Sequence, residues 1–111
     1  MAEPLSHDLL PGTLYMMILR TLSDGPLHGY AIAKQIKAAS RDLLAIEDGS
    51  LYPALNRMLV KGWLAAEWGV SENNRNARFY RLTPKGRKQL ETETEKFNQV
   101  VRAVRFVMDT A

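Results

Sequence analysis

The apolar residues of the first half of the chain recur at the spacing of amphipathic helices. This period predicts a first helix over about residues 11–23, which a Gly-Pro pair ends, and a second over about 30–39. The short connection at 27–29 forms at most a minimal strand. The apolar residues of a linker over 40–48 are expected to pack against the core. The positions predicted to be buried are Leu14, Met17, Ile18, Leu22, Ile32, Ala33, Ile36, Leu43, Leu44 and Ile46.

The stretch 49–64, GSLYPALNRMLVKGWL, predicts a third helix over about 50–62, with Pro53 in its first turn and Gly62 at its end. One face of this helix is apolar and is expected to be buried, whereas the other is polar. Only a few residues separate it from the second helix, as in a helix-turn-helix. The apolar face holds Leu51, Leu55, Met58 and Leu59, and the polar face holds Ser50, Tyr52, Asn56, Arg57 and Lys61.

After Gly62 the pattern changes to that of strands. Residues 63–68 and 77–82 predict a hairpin whose connection, 69–76, is rich in turn-forming residues. Thr83 and Pro84 then suit the N-cap and the first position of a long helix over about 84–108. Gly86 is expected to be exposed in this helix and to weaken it by about 1 kcal/mol relative to alanine.

The last helix is too long for so small a domain. Its 25 residues correspond to about 37 Å, so its distal part is expected to project and to expose an apolar stripe. Pairing with a second copy of the chain would cover that stripe. The predicted dimer interface consists of Phe97, Val100, Val101, Val104, Val107 and Met108.

The order helix, helix, helix, strand, turn, strand, helix predicts a mainly α fold with a small β-hairpin. We interpret it as a winged helix-turn-helix followed by a long C-terminal dimerisation helix. Residues 1–83 are expected to form the DNA-binding domain and residues 84–111 the dimerisation helix, together one compact unit. A chain of 111 residues is long enough for one core and not for two.

Charge and composition narrow the function. The net charge is only +3, yet residues 73–88 carry six Lys and Arg side chains and no acid. Such a local basic patch favours a polyanionic partner, the alternative being an ordinary solvated surface. Without cysteine, with two distant histidines and with no Gly-rich phosphate loop, the chain is not expected to be an enzyme or to hold a metal or cofactor. No signal peptide or membrane span is evident, so we expect a cytoplasmic protein that does not contact membranes.

The predicted elements fit double-stranded DNA. A helix fits the major groove, and its N-terminus favours phosphate. Hydroxyl groups at the start of the third helix are therefore expected to donate to phosphates, and an amide one turn later is expected to reach a base edge. Arginines of the hairpin would follow the backbone or enter the minor groove. The predicted DNA-binding residues are Tyr30, Lys34, Ser50, Tyr52, Pro53, Asn56, Arg75 and Arg78, with Pro53 shaping the helix start.

Three segments in order resemble the PadR family of transcriptional regulators. They are HGYAIAKQI at 28–36, GSLYPALNRMLVKGWL at 49–64 and RFYRLTPKGRKQL at 78–90. The resemblance implies a homodimeric winged-helix repressor that binds a palindromic operator. The single helix after the hairpin is similar to the short branch of the family, whose members often sense a small molecule near the dimer interface.

A small apolar or aromatic effector would need a pocket near the first and last helices. The expected walls are Tyr15, Met16, Trp63 and Trp68, with Phe97 beside them, and packing in the core or dimer is the alternative for each. A second hypothesis for the whole chain is a winged-helix module that binds a protein instead of DNA.

Overall fold

The computed structural model describes residues 12–110, and its secondary structure follows the predicted order. Strands β2 (Leu64–Val70) and β3 (Asn76–Leu82) form an antiparallel hairpin, and β1 (Leu27–His28) pairs with the other edge of β3, giving the strand order β1-β3-β2. The predicted mainly α winged helix-turn-helix with a long terminal helix is confirmed. The elements are α1 (Thr13–Leu22), β1 (Leu27–His28), α2 (Gly29–Ala39), α3 (Asp48–Val60), β2 (Leu64–Val70), β3 (Asn76–Leu82) and α4 (Pro84–Met108).

The core lies between the three short helices and one face of the sheet. Its members come from every element predicted to bury an apolar face, and the sheet adds Leu64 and Tyr80. Removal of these side chains from water is the main stabilising contribution of a domain of this size. The side chains with the lowest exposure are Ile18, Leu19, Leu22, Ile32, Leu51, Leu55 and Met58.

The start of α3 differs from the prediction. The helix begins at Asp48, two residues early, so Pro53 lies inside it and not in its first turn. Because proline has no N–H, it cannot donate to the carbonyl of Gly49 four residues before it. Gly49 is exposed, so water can reach that carbonyl. Pro53 therefore does not set the start of the helix.

The linker and the hairpin turn also differ in detail. Leu43 was expected to pack against the core but is exposed, whereas Leu44 and Ile46 pack as predicted. Arg41 and Asp42 adopt left-handed backbone angles, which turn the chain just before Leu43. In the hairpin, Gly69, Val70 and Asn76 belong to strands. The remaining turn, 71–75, is closed by the Ser71 N–H donating to the Arg75 carbonyl at 2.8 Å.

Helix α4 begins at a tightly packed junction around Thr83. The Thr83 hydroxyl donates to the Gly62 carbonyl at 2.7 Å and accepts from the Gly86 N–H at 3.0 Å. The Thr83 N–H donates to the Trp63 carbonyl at 3.1 Å. These bonds join the end of α3, the sheet and the start of α4. The predicted N-cap is thus confirmed, since the side chain accepts from the first turn.

Gly86 is buried in this junction, contrary to the expectation of an exposed glycine. A Cβ added there would overlap the Trp63 carbonyl oxygen and lie 2.8 Å from Leu82 Cδ1. The start of α4 approaches the chain before β2 more closely than a side chain permits. The absence of a side chain at Gly86 therefore allows this close packing, although glycine has a lower helix propensity than alanine.

Helix α4 packs on α1 and becomes more exposed towards its C-terminus. Phe97 and Val101 are partly buried. Val100, Val104, Val107 and Met108 are exposed, from 45% at Val100 to 74% at Met108. Across residues 12–110, no helix has the length and apolarity needed to cross a bilayer.

We predict that Gly86→Ala destabilises the protein by about 1–3 kcal/mol, because the methyl group overpacks the junction at the Trp63 carbonyl. Helix propensity alone would give a gain of about 1 kcal/mol, the opposite sign. Urea unfolding followed by circular dichroism measures the difference.

Gly49→Ala is the matched control, since a Cβ at this helical glycine meets nothing within 4 Å. This variant is expected to be neutral or slightly stabilised. A Gly86→Ala protein as stable as Gly49→Ala would contradict the packing described at the junction.

Candidate nucleic-acid interface

The N-termini of α2 and α3 meet where the Tyr52 ring lies on Gly29. A Cβ at Gly29 would be 2.6 Å from Tyr52 Oη and 2.7 Å from its Cε1, so only glycine allows this contact. Burial raises the pKa of Tyr52, and the nearby Asp48 carboxylate and Tyr80 raise it further. A tyrosine hydroxyl is protonated at neutral pH, and the upward shift of the pKa keeps it so, which lets it donate. The Tyr52 residue as a whole remains 40% exposed.

A polar cleft of about 520 Å³ separates the start of α2 from the hairpin turn. Tyr30 and Lys34 lie on its α2 side, one helical turn apart, and Arg75 lies on the hairpin side. Tyr30 is exposed, as are both cations. Glu72 also lines the cleft, so one acid partly offsets the two cations. The structure thus brings Arg75 close to Tyr30 and Lys34, which precede it by about 40 residues in the sequence.

His28 fixes the start of α2 at this cleft. Its Nδ1 accepts the Ala31 N–H at 3.2 Å, which caps the helix. Its ring meets Phe79 of β3 edge-on at 5.4 Å and stacks on Tyr30 at 6.5 Å between centroids. The histidine therefore has a structural role, and it also helps to orient Tyr30.

The outer face of α3 is less uniform than its sequence suggested. Asn56 and Pro53 are exposed, and Ser50 is half-buried. Arg57, which the helical spacing placed on the polar outer face, instead turns towards α1. Its Nε donates to Tyr15 Oη at 2.6 Å, and its guanidinium lies 5.6 Å from the centre of the Tyr15 ring.

The residues predicted to line an effector pocket do not all meet. Tyr15 and Trp63 contact each other edge-on at 5.6 Å, and Lys61 lies over the Trp63 ring at 5.2 Å. Met16 lines a separate, mostly apolar groove of about 240 Å³ between α1 and α4, together with Phe97 and Val100. Trp68 lies on the hairpin opposite Arg78 and is 74% exposed.

Sequence reasoning missed two parts of this surface. Gly29 was not singled out, although a glycine between a helix-capping histidine and an exposed tyrosine is a signal of close packing. Glu72 was overlooked because it lies just outside the basic stretch 73–88, while the fold places it in the same cleft as Lys34. Within residues 12–110, no cluster of three or more acidic or histidine side chains is placed to hold a metal ion.

Comparison with known proteins agrees with this architecture. The sequence profile of the "Transcriptional regulator PadR-like family" matches residues 18–92. Transcriptional regulator Rv3488 of Mycobacterium tuberculosis is 32% identical over 87 residues, 78% of each chain. An uncharacterised 37.1 kDa protein of transposon TN4556 from Streptomyces fradiae is 44% identical over 78 residues. That match covers 70% of this chain but only 21% of the length of the transposon protein.

The fold comparison leads to the same family. The crystal structure of a PadR family transcriptional regulator from Eggerthella lenta superposes with a TM-score of 0.78 and 29% identity, covering 90% of this chain and 85% of that one. The family is one of transcriptional regulators and not of enzymes. From the profile match and the fold, the chain belongs to the PadR-like family of transcriptional regulators.

Proposed function

We propose that the protein is a sequence-specific DNA-binding repressor that acts in the cytoplasm as a homodimer on a palindromic operator. The observation that carries this proposal is the cleft between α2 and the hairpin, which Tyr30 and Lys34 line on one side and Arg75 on the other. A phosphate backbone lying in this cleft would meet two cations and a hydroxyl. The hydroxyl of the adjoining Tyr52 would donate a hydrogen bond to a neighbouring phosphate oxygen.

The same arrangement would present α3 to the major groove. Asn56 is exposed on α3, and the Tyr52–Gly29 contact joins the start of α3 to the start of α2 at the cleft. An asparagine side chain pairs well with adenine in that groove. Ser50 and Arg78 would add backbone contacts on either side. We assign Pro53 a neighbouring, non-ionic contact at most, because it has no donor.

Dimerisation would use the exposed C-terminal part of α4. Its apolar stripe is formed by Val100, Val104, Val107 and Met108 on one face, with the partly buried Phe97 and Val101 beside them. A stripe of this kind marks an interface in a protein of this size. Two copies joined there would present two α3 helices to successive major grooves.

Release by an effector would act through α1. The groove lined by Met16 and Phe97 lies between α1 and α4, where a small apolar or aromatic molecule would fit. Tyr15, the residue before Met16, accepts a hydrogen bond of 2.6 Å from Arg57 of α3. A ligand that binds one α1–α4 arrangement better than the other would therefore shift α3 as well.

We predict that Lys34→Gln weakens binding to duplex DNA about tenfold at low salt. It should also reduce the slope of log K against log salt concentration by about 0.9, because the variant makes one phosphate contact fewer and so releases one counterion fewer on binding. Fluorescence anisotropy with a labelled duplex from the region upstream of the coding sequence measures both quantities.

Lys37→Gln is the matched control on the same helix. Lys37 is exposed, one turn beyond Lys34, and is not among the residues that line the cleft. Equal effects of the two substitutions would mean that general charge and not the cleft determines affinity. A wild-type protein whose DNA binding does not depend on salt would support the protein-interaction alternative.

We predict that Val104→Glu raises the dimer dissociation constant at least about tenfold, because an unpaired carboxylate is costly to bury. Sedimentation equilibrium measures it. Phe106→Glu is the control, since Phe106 is also exposed, at 70%, but lies about 200° around the helix from Val104. A Val104→Glu protein that dimerises as well as Phe106→Glu would place the interface elsewhere.

A further inference from the structure

Trp68 is the largest exposed aromatic side chain of the hairpin, and nothing in the effector hypothesis explains its position. It is 74% exposed, and Val70, two residues further along the same strand face, is 62% exposed. In the antiparallel register Trp68 lies directly opposite Arg78, and Val70 opposite Asn76. An exposed tryptophan beside an exposed valine forms an apolar patch that is suited to a partner.

The register also shows where this patch faces. Ala66 and its cross-strand neighbour Tyr80 lie on the same face of the hairpin as Trp68 and Arg78, because side chains alternate along a strand. Tyr80 is buried under the helices. The face that carries Trp68 is thus the one that packs on the helical core and emerges beyond it towards the hairpin turn.

This face is continuous with the surface proposed to bind DNA. The Arg78 guanidinium lies 5.8 Å from the centre of the Tyr80 ring. Asn76, the cross-strand partner of Val70, lines the cleft between α2 and the hairpin turn. The patch therefore adjoins that cleft at the hairpin turn.

We propose that Trp68 and Val70 pack against the deoxyribose edge of the DNA backbone while Arg78 binds an adjacent phosphate. This inference rests on the proposed DNA-binding function and adds an apolar contact to it. Between successive phosphates a backbone presents sugar C–H groups, and an indole ring covers them while removing apolar area from water. Trp68 and Arg78 are cross-strand partners, so an apolar and a cationic side chain lie next to each other, as a sugar and a phosphate do along the backbone.

The charge around the patch favours DNA over a second copy of the chain. Arg78 lies on the face of the patch and Arg75 in the adjoining turn, whereas the acids of the hairpin are Glu67 on the opposite face and Glu72 in the turn. Two such patches placed face to face would bring their Arg78 side chains together, and these would repel one another. A polyanion is attracted by the same two arginines. The occupant that matches both the apolar patch and its cationic border is the sugar-phosphate backbone.

Because the chain has two tryptophans, each can report separately. In Trp63→Phe the emission comes from Trp68, and in Trp68→Phe it comes from Trp63. The probe is a mixed-sequence duplex, since a sugar contact does not depend on sequence. We expect saturating DNA to reduce acrylamide quenching of Trp68 several-fold and to leave that of the partly buried Trp63 nearly unchanged.

The affinity arm separates an apolar from an ionic contact. Trp68→Ala is expected to weaken DNA binding about tenfold without changing the salt slope, whereas Arg78→Gln should reduce the slope by about 0.9. Circular dichroism melting checks that Trp68→Ala folds as the wild type does. If that variant is unstable, acrylamide quenching of Trp68 in the Trp63→Phe protein still shows whether DNA covers the Trp68 ring.

Three results would overturn the inference. The first is a wild-type protein that binds the duplex while Trp68 stays fully open to acrylamide. The second is a folded Trp68→Ala protein with wild-type affinity, and the third is a Trp68→Ala protein that changes only its oligomeric state, which would assign the patch to a second copy. Absence of any DNA binding by the wild type would instead refute the proposed function itself.

Discussion

The contact between the Tyr52 ring and Gly29 is the constraint on which the rest of the surface depends. It brings the N-termini of α2 and α3 together, and a side chain at position 29 would prevent it. His28 caps α2 on one side of this contact and, through Phe79, joins it to the sheet. Tyr30 and Lys34 are consequently held facing the hairpin turn. Their position depends on the absence of a side chain at Gly29.

Much of the fold follows from local patterns. Helical spacing of Ile32 and Ile36, the turn residues after Val70 and the Thr83-Pro84 pair each specify their element almost alone. What could not be predicted depends on contacts between distant segments. From the sequence, Gly86 only weakens a helix, whereas in the fold the Trp63 carbonyl lies against it. Likewise, the sequence places Arg57 on the outer face of α3, whereas in the fold it donates to the Tyr15 hydroxyl of α1. Trp68 resembles a pocket residue until the strand register separates it from Trp63.

Two further contacts connect the surface proposed to bind DNA with α1 and α4. The Tyr15–Arg57 bond links α1 to α3, and the Thr83 junction links the sheet to α4. Both elements reached in this way, α1 and α4, border the groove at Met16. In the proposed dimer, a molecule in that groove and the partner subunit would therefore act on the same two helices, so the proposed ligand response would need no separate hinge.

The most direct measurement is the DNA affinity of Gly29→Ala alongside its unfolding free energy. The added methyl must displace the flexible Tyr52 ring, while no backbone atom is among its three nearest neighbours. We therefore expect affinity to fall about tenfold, the loss of one hydrogen bond to a charged group. Stability should change by less than about 1 kcal/mol. Gly49→Ala, with open space around its Cβ, should retain wild-type affinity. A stable Gly29→Ala protein that binds DNA as tightly as Gly49→Ala would contradict the account.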